Sequence, residues 1–194
     1  MVAKSQFMTA TEFMNLPESP YPVELIDGVV IVSPTPIPRH QLIATRLVYP
    51  LIGIERAGGD GIWFSSPVDL LISQNSVFEP DAMLFGPDGE PNLDQLPITE
   101  IPVIAVEILS PSSRSTDNIR KRAGYSDRGV AEYWIVDPQK HQIVFNIAGI
   151  DGTYTSYELD GAIIPAGRYA GVELDIDWIF AVKTSTPTTD STEP

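Results

Sequence analysis

Val103-Ile104-Ala105-Val106-Glu107-Ile108-Leu109 is the stretch on which the fold turns. Side chains alternate faces along a strand, so a run that is apolar at odd and even positions alike predicts a central strand covered on both sides. Glu107 then has no water to reach. Taking a carboxylate out of water costs on the order of several kcal/mol unless a cation, a proton or strong donors compensate. Upstream lies a second acid behind a proline, Glu79-Pro80-Asp81, followed by the apolar stretch Ala82-Met83-Leu84-Phe85. Downstream, Lys121 falls on a predicted helix. Two acids at strand positions plus one lysine can hold a divalent metal beside a phosphodiester.

The bulk numbers narrow the alternatives. A chain of 194 residues with 43% hydrophobic residues has the composition of one globular domain, placed here at residues 1–183. The Thr-, Ser-, Pro- and acid-rich stretch 184–194 reads as a disordered tail. No apolar run approaches the roughly 20 residues that cross a bilayer, and the first residues lack an apolar segment of signal-peptide length, so a cytoplasmic location without membrane is expected. Cysteine is absent, which removes thiolate chemistry and Cys-ligated zinc, and only His40 and His141 supply imidazole. A metal would therefore sit mainly on oxygen ligands, which favours magnesium, manganese or calcium.

The net charge of −14 argues against a generic nucleic-acid coat, which gains affinity by neutralising phosphates. A local site is compatible with it, because Arg114, Arg120, Lys121, Arg122 and Arg128 cluster just after the Glu107 strand. The same cluster also reads as a solvated helix face.

Along the chain, Thr9 and Glu12 have capping-box spacing and open a short helix ending near Pro17. Asp27-Gly28 between the β-branched runs at 22–26 and 29–33 predicts a hairpin. A helix follows over about 38–56, with Leu42, Leu47, Leu51 and Ile54 as its inner face, Pro50 kinking or dividing it, and Gly58-Gly59 ending it. Strands are expected at 61–65, 68–72 and 81–85, then at 132–136, 141–147, 153–159 and 168–174, with a helix over 116–128 closing at Gly129 and a last helical turn at 175–180. Tyr133 and Trp134 read as core rather than base-stacking residues.

Asp117, Lys121 and Tyr125 recur at i, i+4 and i+8 and share one helix face, which the preceding short loop can bring to the end of the Glu107 strand. An Asp117–Lys121 surface pair is the simpler account of that spacing. Over about Thr9 to Phe145 the ordered set Glu24-Leu25-Ile26-Asp27-Gly28, His40, Pro80-Asp81, Val106-Glu107-Ile108-Leu109-Ser110-Pro111 and Asp117…Lys121…Tyr125…Gly129…Asp137-Pro138 resembles the bacterial putative restriction endonuclease family within the PD-(D/E)XK nuclease superfamily.

That resemblance implies an α/β, restriction-endonuclease-like core: a mixed central β-sheet flanked by helices, with an N-terminal helix and hairpin. It implies Asp81 and Glu107 as metal ligands and a lysine near the attacking water. Two residues beyond Glu107, where the superfamily carries lysine, this chain has Leu109, so the resemblance makes Lys121 the candidate. Glu24 is the candidate third acid, with an exposed strand position as its plainer reading. The Ile108 carbonyl completes the ligand set for Mg²⁺ or Mn²⁺. Arg114 and Arg120 are the candidate phosphate contacts, and His40 could touch a phosphate or a metal-bound water, with a helix-capping or surface role as its plainer reading.

The activity expected is metal-dependent hydrolysis of a phosphodiester in DNA, with a homodimer suited to cutting both strands. The alternative keeps the fold without the chemistry, as a module binding nucleic acid or a protein partner. A two-carboxylate glycosidase ranks below both, since it leaves Lys121 and the basic cluster without a role.

Overall fold

The computed structural model describes residues 7–111 and 114–181; the predicted tail at 184–194 lies outside them. Helix α1 (Ala10–Met14) opens with the predicted capping box: the Thr9 side chain accepts from the Glu12 amide at 3.3 Å, and the Glu12 carboxylate accepts from the Thr9 amide at 2.8 Å. Strands β1 (Val23–Ile26) and β2 (Val29–Val32) form the hairpin. Its two turn residues, Asp27 at φ 51° and Gly28 at φ 78°, hold the positive angles that such a tight turn requires.

Helix α2 (Pro38–Ile54) runs unbroken through Pro50 and passes into a π-helical turn at Glu55–Gly59. The helix is not divided at Pro50, and the expected inner face is correct for Leu47 and Leu51 but not for Leu42 and Ile54. The buried residues are Ile43, Ala44, Leu47, Val48 and Leu51, whereas Leu42 and Ile54 are exposed. The buried set follows the 3.6-residue repeat; the step from Leu42 to Leu47 does not. Packing of Leu47, Val48 and Leu51 on both sides of Pro50 keeps the helix continuous.

Strand β3 (Ile62–Ser65) is followed by β4 (Leu70–Ser73), by β5 (Ser76–Phe78), which was not expected, and by β6 (Ala82–Phe85). Next come β7 (Ile104–Ile108), the helical segment made of α3 (Arg114–Thr116), a π-helical turn (Asp117–Lys121) and α4 (Arg122–Arg128), and then β8 (Glu132–Asp137), β9 (Gln142–Ala148) and β10 (Tyr154–Glu158). The expected strand at 168–174 is absent, represented by an isolated bridge between Ile163 and Glu173. The final helix α5 (Ile176–Phe180) is capped by Asp175, whose side chain accepts from the Trp178 amide.

Six strands form the central sheet in the order β10-β9-β8-β7-β6-β3, with β7 and β8 parallel and the other pairs antiparallel. The β7–β8 pairing is parallel because the helical segment between them carries the chain back across the sheet. A smaller antiparallel sheet, β2-β1-β5-β4, lies apart. One face of the central sheet packs Ile104, Val106 and Ile108 against α2 and α5. The other packs Ala105, Leu109 and Tyr133 with Tyr125 of α4 and with Leu70, Ile72 and Phe78 of the small sheet. Gly124 permits that second packing: a Cβ there would lie 2.9 Å from the Phe78 ring. Glu107 therefore sits in the middle strand of a three-layer molecule, between two apolar layers, as its neighbours in the sequence require.

Candidate active site

The acids meet where the small sheet joins the central one. Glu79-Pro80-Asp81 is the crossing between β5 and β6, so Asp81 stands at the start of a buried strand and Glu79 at the end of one. Alternation puts Asp81 on the face of Met83 and Phe85, and Glu107 on the face of Ala105 and Leu109, which is the same side of the sheet. Glu24 reaches the junction from β1. Its side chain is 12% exposed, not the solvent-facing strand residue of the plainer reading, and it accepts from the Glu79 amide at 2.8 Å.

Lys121 joins two of these acids. Its ammonium lies 2.7 Å from Glu24 Oε1 and 2.9 Å from Glu107 Oε1, and the lysine side chain is only 4% exposed. The hydroxyl of Tyr125, one turn further on, donates to the same Glu107 oxygen at 2.7 Å. The shared helix face expected for Lys121 and Tyr125 is thus directed at Glu107; the Asp117 side chain lies outside the described residues. Lys121 closes the π-helical turn, where the widened backbone resets the face that α4 presents. Burial, and next the Glu107 charge, push the Tyr125 hydroxyl well above the ordinary tyrosine range, so it stays a donor.

Asp81 is held differently. Its Oδ2 accepts the Ile108 amide at 2.7 Å, and His40 Nε2 lies 3.3 Å from that oxygen. The same nitrogen is 2.9 Å from the Ile108 carbonyl oxygen. Both neighbours are acceptors, so this ring nitrogen carries the hydrogen. His40, in the first turn of α2, thereby ties the helix to the end of β7 rather than capping its own helix.

The basic cluster splits up. Arg114 makes a fork with Asp137, at 2.6 and 3.0 Å, and bonds Gln139 at 3.1 Å. Arg120 lies 3.3 Å from Asp27 and remains about half exposed. Arg122 donates to Asn146 and to the Tyr154 carbonyl, and Arg128 to the Thr99 carbonyl. Tyr133 and Trp134 are fully buried, as expected of core residues.

Glu24, Asp81, Glu107, Lys121, His40 and the Ile108 backbone line one pocket of about 770 Å³. Ser66 and Glu79, neither expected as a site residue, also line this pocket. Ser66 donates to Glu79 at 3.0 Å. Burial raises both the Asp69 and the Glu79 carboxyls, with a further push from the Glu24 charge. The region therefore gathers five carboxyls around one ammonium, a surplus of negative charge. As the side chains stand, no group of three or more His, Asp or Glu among the described residues is placed to hold a metal ion; Lys121 lies on Glu24 and Glu107, and His40 on Asp81. The donor types nonetheless suit one: carboxylates and a backbone carbonyl are the oxygen ligands that hard divalent cations take.

Among the described residues no helix is long and apolar enough to cross a membrane. No curated protein matches the sequence. A crystal structure of a putative nuclease from Anabaena variabilis has the same fold, with a TM-score of 0.73 over 89% of this chain and 97% of that one, at 21% sequence identity. This agrees with the α/β core of mixed sheet and flanking helices expected from the sequence. The sequence profile of the Uma2 family, described as putative restriction endonuclease, matches residues 10–177, and the chain belongs to that family.

Proposed function

We propose that this pocket hydrolyses phosphodiester bonds in DNA with a divalent cation, Mg²⁺ or Mn²⁺, held by Asp81, Glu107 and the Ile108 carbonyl, with Glu24 as the third acid. One observation carries the reading: three acids from separate segments converge on one pocket, and two of them, Glu24 and Glu107, share a buried lysine. The family and fold point the same way. When bound, the cation would supply charge neutralisation at the phosphate and a water of lowered pKa.

The remaining steps belong to side chains already in place. Tyr125 fixes the Glu107 carboxylate, and the Ile108 amide and His40 fix Asp81. Lys121 keeps a positive charge within 2.9 Å of both Glu24 and Glu107, where it can orient the attacking water and offset the negative charge that grows on the phosphoryl oxygens. It would take the place of the lysine that Leu109 displaces. Of the two arginines expected to contact phosphate, Arg120 is the more available, since Asp137 and Gln139 already engage Arg114.

The test is cleavage of plasmid and short DNA in Mg²⁺ or Mn²⁺, stopped by EDTA and abolished in Asp81→Asn and Glu107→Gln. Full activity in both purified variants would refute the reading. A second reading, a nuclease-fold protein that binds without cutting, is favoured by the pairing of Glu24 and Glu107 with Lys121 and of Asp81 with His40. Titration calorimetry with Mn²⁺ separates the two: heat of binding lost in Glu107→Gln supports the first, and no uptake by the wild-type chain supports the second.

A further inference from the structure

We infer that the substrate enters this pocket as an unpaired strand, a single-stranded segment, flap or frayed end of DNA, and not as an intact duplex. The inference rests on the phosphodiesterase reading above and adds the class of substrate.

Depth is the first argument. The side chains of Lys121 and Glu107 are 4% and 5% exposed, and those of Glu24 and Asp81 are 12% and 13% exposed. These groups form the floor of a pocket whose rim is built by the proline-rich segment 33–37 and by the turn 138–141. The second rim is braced from below by the Arg114–Asp137 fork. A volume of about 770 Å³ is that of a small-molecule site, room for one or two nucleotides. A duplex carries its phosphates on the outside of a convex cylinder whose major groove alone is about 12 Å wide. Such a surface cannot rest on a recessed floor, whereas a flexible strand can bend into it.

Charge is the second argument. Duplex binding draws on several lysines and arginines laid along one face. Here the basic cluster after β7 is largely turned inward, to Asp137, Glu24, Glu107, Asn146 and the Tyr154 and Thr99 carbonyls, and Arg120 is paired with Asp27. The chain as a whole carries −14. Single-strand sites combine a positively charged groove that follows one backbone with side-chain surfaces on which bases stack, and so do not need basic residues laid along a broad face. Pro34 and Ile37 supply an exposed apolar rim, and Arg39, exposed in the first turn of α2, puts a guanidinium on the same edge. Arg39 is the residue assigned to hold the phosphate next to the one cut.

The experiment compares a labelled oligonucleotide, alone and annealed to its complement, in Mn²⁺ cleavage and in Ca²⁺ fluorescence anisotropy. The free strand should be cut and bound at least about tenfold better than the duplex, and Arg39→Glu should raise KM for the free strand while leaving kcat near the wild-type value. Equal or faster cutting of the duplex would overturn the inference and leave the phosphodiesterase reading standing. An unchanged KM in Arg39→Glu would also count against it. Failure to cut either DNA would remove both.

Discussion

Helix α2 has buried acids at both of its ends, and only one end opens on the pocket. Beyond its C-terminal end, Glu55 accepts two bonds from the Arg168 guanidinium, at 2.9 and 2.8 Å, one from the Gly61 amide at 2.8 Å and one from the Tyr169 hydroxyl. Nearby Glu132 accepts from Trp134 Nε1 at 2.9 Å and from the Arg168 amide. Both oxygens of each carboxylate there accept from donors fixed in the fold, although burial still raises the Glu132 carboxyl, and Trp63, Trp134 and Tyr169 pack around them. At the N-terminal end, Glu24 and Glu107 share one ammonium, and Asp69 and Glu79 are raised by burial. Burial of an acid is therefore not the mark of a site. The mark is burial beside a pocket with space for something else to arrive.

Breaking each end separately tests that contrast. The largest expected effect is at the pocket: Glu107→Gln should eliminate metal-dependent cleavage while leaving the unfolding midpoint in urea within a few tenths molar of wild type, because the amide keeps an acceptor for Tyr125 and relieves carboxylate crowding. A variant that loses activity and fold together would make Glu107 a structural residue like Glu55. At the other end the outcome inverts. Arg168→Ala leaves Glu55 buried without its partner and should cost roughly 3 kcal/mol, the low end for a broken buried pair because the guanidinium is 27% exposed. Cleavage per folded molecule should be unaltered; urea unfolding and an activity assay on the same preparation check both halves.

A smaller effect is carried by pH. The Arg168 guanidinium holds the Glu55 carboxyl down from 4.5 to about 2. A lowered carboxyl contributes stability that is fully present above about 4.5 and is lost as the pH falls towards about 2. Glu55→Gln should therefore be less stable than wild type at neutral pH, and its stability should decline less steeply in that acid window. Parallel curves for the two proteins between those limits would remove Glu55 from the acid response.

What could be read from the sequence was local or strongly patterned. The doubly apolar run around Glu107 gave a buried middle strand, Asp27-Gly28 gave the hairpin, and i, i+4 spacing brought Lys121 and Tyr125 to one oxygen. Strand β5 escaped because Ser76-Val77-Phe78 is too short to show alternation. The stretch 168–174 misled because Gly171, at φ 85°, turns the chain where a strand would continue. Within the site, Ser66 and Asp69 reach the acids through the small sheet and its loops, which no spacing in the sequence signals. The same is true of Arg114, whose partner Asp137 stands at the far end of β8. A basic residue's neighbours in the fold, not those in the chain, decide whether its charge is available to a ligand.

The finest test concerns a residue that touches neither substrate nor cation. Tyr125 and Lys121 both hold Glu107 Oε1, so the tyrosine determines where the carboxylate points without itself meeting the phosphate. Tyr125→Phe keeps the ring contacts with Phe78 and Tyr133, at 5.3 and 4.8 Å between centroids, and removes only the donor. Loss of one hydrogen bond to a charged acceptor costs about 1.5–3 kcal/mol, and loss of an outer partner weakens a metal site about 10–100-fold. Mn²⁺ affinity by calorimetry should therefore fall by that factor and kcat should fall with it, while saturating Mn²⁺ restores part of the rate. If kcat falls with Mn²⁺ affinity intact, Tyr125 acts on the reacting groups and not on the carboxylate.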